Sequence, residues 1–213
     1  MVKNILLSLA FIFSTLISYS QDTLIIKHTN YTSVFSTTLN YPLVVEWWET
    51  RARLQCKQLE RKNTFKSDPL YPKETSLSSD YLNSGYDRGH MCPTEDNLCQ
   101  GQNIQAECFY FSNMAPQPHG FNGGIWKTLE IISQKIAITQ DSVHVWAGSI
   151  GNVKMIGRVA VPEKCWKVLY VKKTNQYLAY LFNNVAIPEK GKYLRAYQVD
   201  VSVITNLTGF LFQ

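Results

Sequence analysis

One apolar stripe constrains this chain more than any other feature. Ile125, Leu129, Ile132 and Ile136 recur at steps of four, three and four, the spacing that lines up side chains on one face of an α-helix. It predicts a long helix beginning near Asn122. Elsewhere the sequence is dominated by short β-rich runs: Thr23 to His28, Leu43 to Trp48, Cys108 to Asn113, Val143 to Ala147, Trp166 to Val171 and Tyr177 to Val185. Alternation and β-branched or aromatic residues mark each of them as a strand. A shorter helix is expected from Ser202, as N-cap, to Gly209. Phe65 to Ser84 is polar and carries Pro69 and Pro72, so it reads as an extended surface loop. One long helix among many strands implies an α+β fold, a central and mostly antiparallel sheet with that helix packed on it.

No repeat, low-complexity tract or linker divides the 213 residues, a length that suits one domain. With 45% hydrophobic and 17% charged residues the composition is globular rather than disordered. The net charge of +5 permits a polyanionic partner without demanding one. Residues 1–20 stand apart. Lys3 precedes an apolar stretch from Ile5 to Ile17, and Ser18-Tyr19-Ser20 gives the small-x-small pattern that signal peptidase reads. The stretch is short for a bilayer span, so the expectation is an exported protein, periplasmic or extracellular, with a single domain from Gln21 to Gln213. An N-terminal membrane anchor is the alternative; the mature form would carry none. Cys56, Cys92, Cys99, Cys108 and Cys165 all come after the leader. Their odd number leaves at least one thiol unpaired or intermolecular, and their spacing fixes no connectivity and is unlike a zinc knuckle.

Chemistry-bearing residues gather in two places. Ser84-Gly85-Tyr86-Asp87-Arg88-Gly89-His90 sets an acid, a guanidinium and an imidazole beside glycines that let backbone approach closely. His90 titrates near neutrality and is suited to deprotonating a water. Asn122, Trp126 and Glu130 then recur at intervals of four, along one edge of the expected helix. An amide oxygen and a carboxylate there make a hard-oxygen corner for a metal. Asn122 as a simple helix N-cap and Glu130 as a solvated helix residue are the plainer alternatives; Trp126 is core on either view.

Asp87-Arg88-Gly89-His90, Ser112-Asn113-Met114-Ala115-Pro116-Gln117 and Asn122-x3-Trp126-x2-Leu129-Glu130, taken in order, resemble the DNA/RNA non-specific endonuclease family. That family includes endonuclease G and the sugar-non-specific bacterial nucleases, and shares a ββα-metal active site. Upstream, Arg61-x-Asn63-x-Phe65-x2-Asp68 resembles the family's arginine-bearing segment; downstream, Trp146-Ala147-Gly148, Val161-Pro162-x3-Trp166-Lys167 and Arg195-Ala196-Tyr197 continue the likeness. The resemblance implies a metal-dependent endonuclease that cuts DNA and RNA with little sequence preference. His90 would be the general base. Asn122 would be the one protein ligand of a Mg²⁺ ion, replaceable by Mn²⁺ or another divalent cation, that otherwise keeps its waters. Glu130 would hold that water shell and Arg61 would brace phosphoryl oxygens. Asp87 would orient its neighbours, and Arg88, Asn113, Gln117 and Gln134 would contact substrate. Two positions depart from the family pattern. Gln134 stands where relatives commonly carry arginine, and Cys92 comes after the D-R-G-H core where a small or aliphatic residue is usual.

Two other readings compete. One is a catalytically silent nucleic-acid-binding protein on the same fold, against which His90, Asn122 and Glu130 stand together. The other is an exported serine esterase; Ala147-Gly148-Ser149-Ile150-Gly151 resembles G-x-S-x-G in outline but lacks the residue between the first glycine and the serine.

Overall fold

The structure is a computed structural model that describes residues 22–71, 75–186 and 193–212. The leader expected over residues 1–20 lies outside them. Eleven strands are described: β1 (Thr23–Lys27), β2 (Tyr31–Ser36), β3 (Tyr41–Thr50), β4 (Tyr86–His90), β5 (Met114–Pro118), β6 (Ser142–Ile150), β7 (Lys154–Ile156), β8 (Val159–Val161), β9 (Lys164–Val171), β10 (Gln176–Asn183) and β11 (Gln198–Val199). Six α-helices accompany them: α1 (Arg51–Leu54), α2 (Ser78–Tyr81), α3 (Gln102–Glu107), α4 (His119–Phe121), α5 (Lys127–Gln140) and α6 (Val201–Thr208).

Seven strands form one sheet in the order β1-β2-β3-β6-β9-β10-β11, every neighbouring pair antiparallel. Because side chains alternate along a strand, the sheet has two apolar faces. Val45, Trp47, Val143, Val145, Leu169 and Val171 belong to the cluster that contains Leu129 and Ala137 of α5. Val44, Trp146, Trp166, Val168 and Ala179 face the other way, under Ile204 of α6 and the rings of Phe210 and Phe212. The α+β architecture expected from the sequence is therefore present, with a helix on each face. Two ribbons, β4-β5 and β7-β8, stand outside the large sheet. Among the described residues no helix is long and apolar enough to cross a membrane.

Several local expectations need correction. The run Cys108 to Asn113 is not a strand: Phe111–Asn113 is a 3-10 turn, and β5 starts only at Met114. Its aromatic side chains satisfy the strand pattern, but Phe109 and Phe111 are core plugs on a turning backbone. Asn122 is no N-cap. It has helical φ/ψ of −57° and −56° at the end of α4, and it opens a π-helical turn, Asn122–Trp126, that leads into α5. Gly124, at φ −100° and ψ −112°, departs from helical geometry inside that turn. The wider turn rotates α5 relative to the register a regular helix would give. The buried stripe of α5 is accordingly Leu129, Ser133 and Ala137, with Ile132 and Ile136 only half-buried at its side. The N-cap of α6 is Asp200, whose Oδ1 accepts from the Ser202 amide at 2.8 Å, two residues before the expected cap. Gly209 ends that helix in the left-handed region, φ 74°, as expected.

Phe65 to Ser84 is more than a surface loop. Lys66 bridges Tyr110, Ser78–Tyr81 is helical, and Asp68, Thr75 and Ser76 are buried. The Asp68 carboxylate explains the burial: it accepts from His28 Nε2 at 2.8 Å, from the Ser112 hydroxyl and from the Leu70 amide. Cys56 and Cys99 form a disulfide across 43 residues, with Cα atoms 5.7 Å apart. Cys92, Cys108 and Cys165 are buried thiols.

Candidate active site

The β4-β5 ribbon carries the centre of the site. Its register sets Asp87 opposite Gln117, Gly89 opposite Ala115 and His90 opposite Met114. A Cβ added to Gly89 would come within 2.2 Å of Gln117 Oε1, so the glycine makes room for the buried Gln117 side chain. On the other side of β4, Arg88 and His90 share a face. The Arg88 guanidinium lies 4.0 Å over the Phe65 ring, and the His90 imidazole stands 5.7 Å from Phe65 and edge-on to Phe109 at 5.2 Å. Trp126 donates from Nε1 to the His90 carbonyl at 3.1 Å, and Thr94 Oγ1 lies 3.3 Å from His90 Nε2. The histidine is thus fixed by backbone, hydroxyl and two aromatic walls.

Burial pushes the His90 imidazole down to about 3, helped by the positive charges of Arg61 and Arg88. The ring is therefore neutral across the physiological range. Arg61 pairs through Nη1 with Glu95 Oε1 at 2.5 Å, donates from Nε to Asn63 at 3.1 Å, and lies 5.5 Å over Phe109. Asp87 Oδ2 accepts from Asn122 Nδ2 at 3.0 Å and faces His119 Nδ1 at 2.9 Å. Holding the Asn122 nitrogen in this way turns the amide oxygen away from Asp87.

Beneath Glu130 lies a charge that sequence does not reveal as buried. Lys167, only 1% exposed, places Nζ 3.5 Å from Glu130 Oε1 and 4.1 Å over the Trp126 ring. Burial lifts the Glu130 carboxyl to about 7; Lys167 opposes the shift, while Glu95 and Asp96 add to it. Glu49 and Asp96 are buried nearby and share a hydrogen bond. Burial first and then the charge of Asp96 raise Glu49 well above the usual carboxylate range, which makes Glu49 the protonated partner. Asp96 accepts from Trp47 Nε1 at 2.7 Å and from Gln134 Nε2 at 2.8 Å.

Two adjoining hollows form the cleft. The larger, about 580 Å³, includes Phe65, Tyr86 and Arg88; the smaller, about 190 Å³, includes Glu95, Lys127, Glu130 and Gln134. Arg61, His90 and Asn122 line both, so they stand where the two meet. The structure thus brings together Arg61, Asp87, Arg88, His90, Asn122, Glu130 and Gln134 from separate segments of the chain. It does not bring Asn113 and Gln117 to the cleft. Both are fully buried. Asn113 accepts from the Cys92 amide and donates to the carbonyls of Cys92 and Cys108, each at 2.9 Å; Gln117 packs beneath Gly89 and donates to Cys165 Sγ at 3.6 Å. In this chain both side chains brace the scaffold beneath the ribbon. Glu95, Lys127 and Lys167 received no role from sequence. Lys167 had a signal in the Trp166-Lys167 match, whereas nothing marks Glu95 or Lys127 among ordinary surface charges.

Among the described residues no group of three or more His, Cys, Asp or Glu is disposed to hold a metal. That donor set does not suit zinc or copper, which draw several nitrogen or sulfur ligands. It does fit a hard cation that keeps most of its waters: the Asn122 amide oxygen is turned from Asp87 and shares a hollow with the Glu130 carboxyl.

A sequence model described as DNA/RNA non-specific endonuclease matches residues 11–213. The mitochondrial nuclease EXOG of Danio rerio is 28% identical over 204 residues, covering 87% of this chain and 59% of its own length. A nuclease of Nostoc sp. is 30% identical over 166 residues (72% and 60%), and nuclease C1 of Cunninghamella echinulata is 32% identical over 166 residues (70% and 65%). This chain therefore spans somewhat over half the length of these relatives. A solved structure described as the EndoG/EndoGI complex aligns with a TM-score of 0.78 at 28% identity, covering 88% of this chain and 84% of that one. Since the sequence likeness runs through nearly every element that builds the cleft, and the fold likeness runs with it, the chain belongs to the DNA/RNA non-specific endonuclease family.

Proposed function

We propose that this protein is a divalent-metal-dependent endonuclease that hydrolyses phosphodiester bonds of DNA and RNA with little regard for sequence. The observation that carries the reading is the His90 imidazole, held edge-on to Phe109 where Arg61 and Asn122 also stand, at the junction of the two hollows. Arg61 and Arg88 attract a phosphodiester, and the bound anion offsets the positive charge that depresses His90. The imidazole thereby regains basicity at the moment when a water must be deprotonated. Arg61 leaves part of its pairing with Glu95 to brace the phosphoryl oxygens. These contacts address phosphate, which carries no sequence information. Asn122 would hold a Mg²⁺ or Mn²⁺ ion and Glu130 its water shell. Bound there, the ion would neutralise charge developing on the phosphoryl group. Asp87 fixes the Asn122 amide, and Lys167 fixes Glu130.

Plasmid DNA and RNA incubated with the protein should both be cut internally, and excess chelator should abolish the cutting. Cleavage that survives chelator would sink the metal-dependent reading. Asn122→Ala should raise the Mg²⁺ concentration for half-maximal activity and lower the maximal rate. Since the side chain makes no cap, the stability cost should be that of its one hydrogen bond to Asp87, about 1 kcal/mol; an unchanged metal titration would remove Asn122 from the metal. We further propose export. The leader-like pattern of residues 1–20 supports it, as does the Cys56–Cys99 disulfide, a bond that persists in oxidising compartments. An intact Met1 terminus on native material, found by mass spectrometry, would overturn it.

A further inference from the structure

Three buried cysteines are left by the Cys56–Cys99 bond, and two of them meet. Asn97 Nδ2 lies 3.0 Å from Cys108 Sγ and 3.6 Å from Cys92 Sγ, so both sulfurs crowd one nitrogen. The two thiols thus share one donor, and each is buried. Their backbones are held together as well, because the single Asn113 Nδ2 donates to both carbonyls at 2.9 Å. Cys165 is elsewhere in the core, against Gln117 and Ser149.

We propose that Cys92 and Cys108 close as a second disulfide when the chain folds under oxidising conditions, leaving Cys165 as its one thiol. Two sulfurs gathered on one amide nitrogen, with both backbones clamped by a second amide, bring the pair within reach of the short separation a disulfide requires. The existing Cys56–Cys99 bond belongs to the same kind of compartment. The oxidant is a small disulfide such as glutathione disulfide. One cysteine thiolate attacks it, forming a mixed disulfide and releasing one glutathione; the second thiolate then displaces the other glutathione. Two protein thiols are oxidised, one glutathione disulfide is reduced, and the two thiol protons end on the two glutathiones. Exchange happens before the core closes. Burial afterwards leaves little thiolate at Cys92, and the enclosed bond is shielded from reductant.

The bridge has a place in the site. Cys92 lies two residues beyond His90, and Cys108 immediately precedes Phe109, the ring that stands edge-on to the His90 imidazole. Closing it ties the base to its wall. It also gives a reason for the cysteine at position 92, one of the chain's two departures from the family pattern.

The test folds the full chain from its reduced, denatured state in a glutathione redox buffer, quenches with acid, and alkylates in denaturant without reductant. Intact mass and a non-reducing peptide map are then read. The expected result is one alkyl group per chain, on Cys165, with the Cys92 and Cys108 peptides cross-linked to each other. Three alkyl groups, with only Cys56 and Cys99 linked, would overturn the proposal, as would a bond from Cys92 or Cys108 to any other cysteine. A Cys56→Ser/Cys99→Ser variant should still form one bridge under the same treatment; a variant with three free thiols would overturn it equally.

Discussion

His90→Ala is expected to lower the rate of phosphodiester cleavage by about 10² to 10⁴, the usual cost of losing a positioned general base. Nucleic-acid affinity should change little, since the cations that line the cleft, Arg61, Arg88 and Lys127, all remain. The variant should fold, because the enclosure of the ring by Phe65, Phe109 and Thr94 is local and Ala fits a strand. Its stability should also depend on pH in a distinct way. The folded histidine sits at about 3 against an unfolded value of 6.5, so between these limits the unfolded chain binds more protons. Wild-type stability contributed by this group is present above pH 6.5 and is lost as pH falls toward 3. His90→Ala removes that loss, so the gap between variant and wild type in unfolding free energy should shift in the variant's favour across this window. Wild-type turnover in a variant with native circular dichroism would show that another group is the base.

The polar half of the site was legible for a simple reason. Asp87-Arg88-Gly89-His90 and Asn122-x3-Trp126-x2-Leu129-Glu130 are continuous patterns, and what joins them is one ribbon and one helix. The strands that carry alternating apolar residues, β3, β6, β9 and β10, were equally readable. Others were hidden by their own chemistry. β2 buries Ser33 and Ser36, whose hydroxyls find partners, and so reads as polar. β5 contains Pro116 and Pro118, which suit only a short outlying ribbon, so the strand signal slid back onto the aromatic run before it. Sequence periodicity assumes 3.6 residues per turn, and the π-helical turn at Asn122–Trp126 breaks that assumption where the site begins. The buried charges were invisible because burial of Glu49, Asp96 and Lys167 depends on partners far apart in sequence. Gln134 illustrates both sides. It does line the cleft beside Glu130, as the helix implied, yet its amide is spent on Asp96 rather than turned to substrate alone.

Lys167→Met should have the second large effect, and it separates stability from catalysis. Lys167 is the cation facing the Glu130 carboxylate, and removing one member of a buried pair costs up to about 3–5 kcal/mol. Met keeps the length and apolar contact against Trp126, so the loss isolates charge from packing. The pH dependence comes from Glu130. Its folded value of about 7 exceeds the ordinary 4.5, so between those limits the folded chain holds the extra proton. Stability from this group is fully present below pH 4.5 and falls as pH rises toward 7. Lys167 opposes that rise, and without it the folded value climbs higher and the loss extends to more alkaline pH. The destabilisation of Lys167→Met should therefore be large in denaturant titrations at pH 8 and small at pH 5, where Glu130 is mostly protonated in both proteins. Activity should fall at pH 7 and its acid limb should move to higher pH, because a protonated Glu130 no longer presents an anion to the cleft. Combining Lys167→Met with Glu130→Gln removes the stranded charge. The double variant should regain most of the lost stability at pH 8 while staying as inactive as Glu130→Gln alone. Equal destabilisation at both pH values would mean that Lys167 acts through its cation–π contacts with Trp47 and Trp126, and that Glu130 owes it nothing.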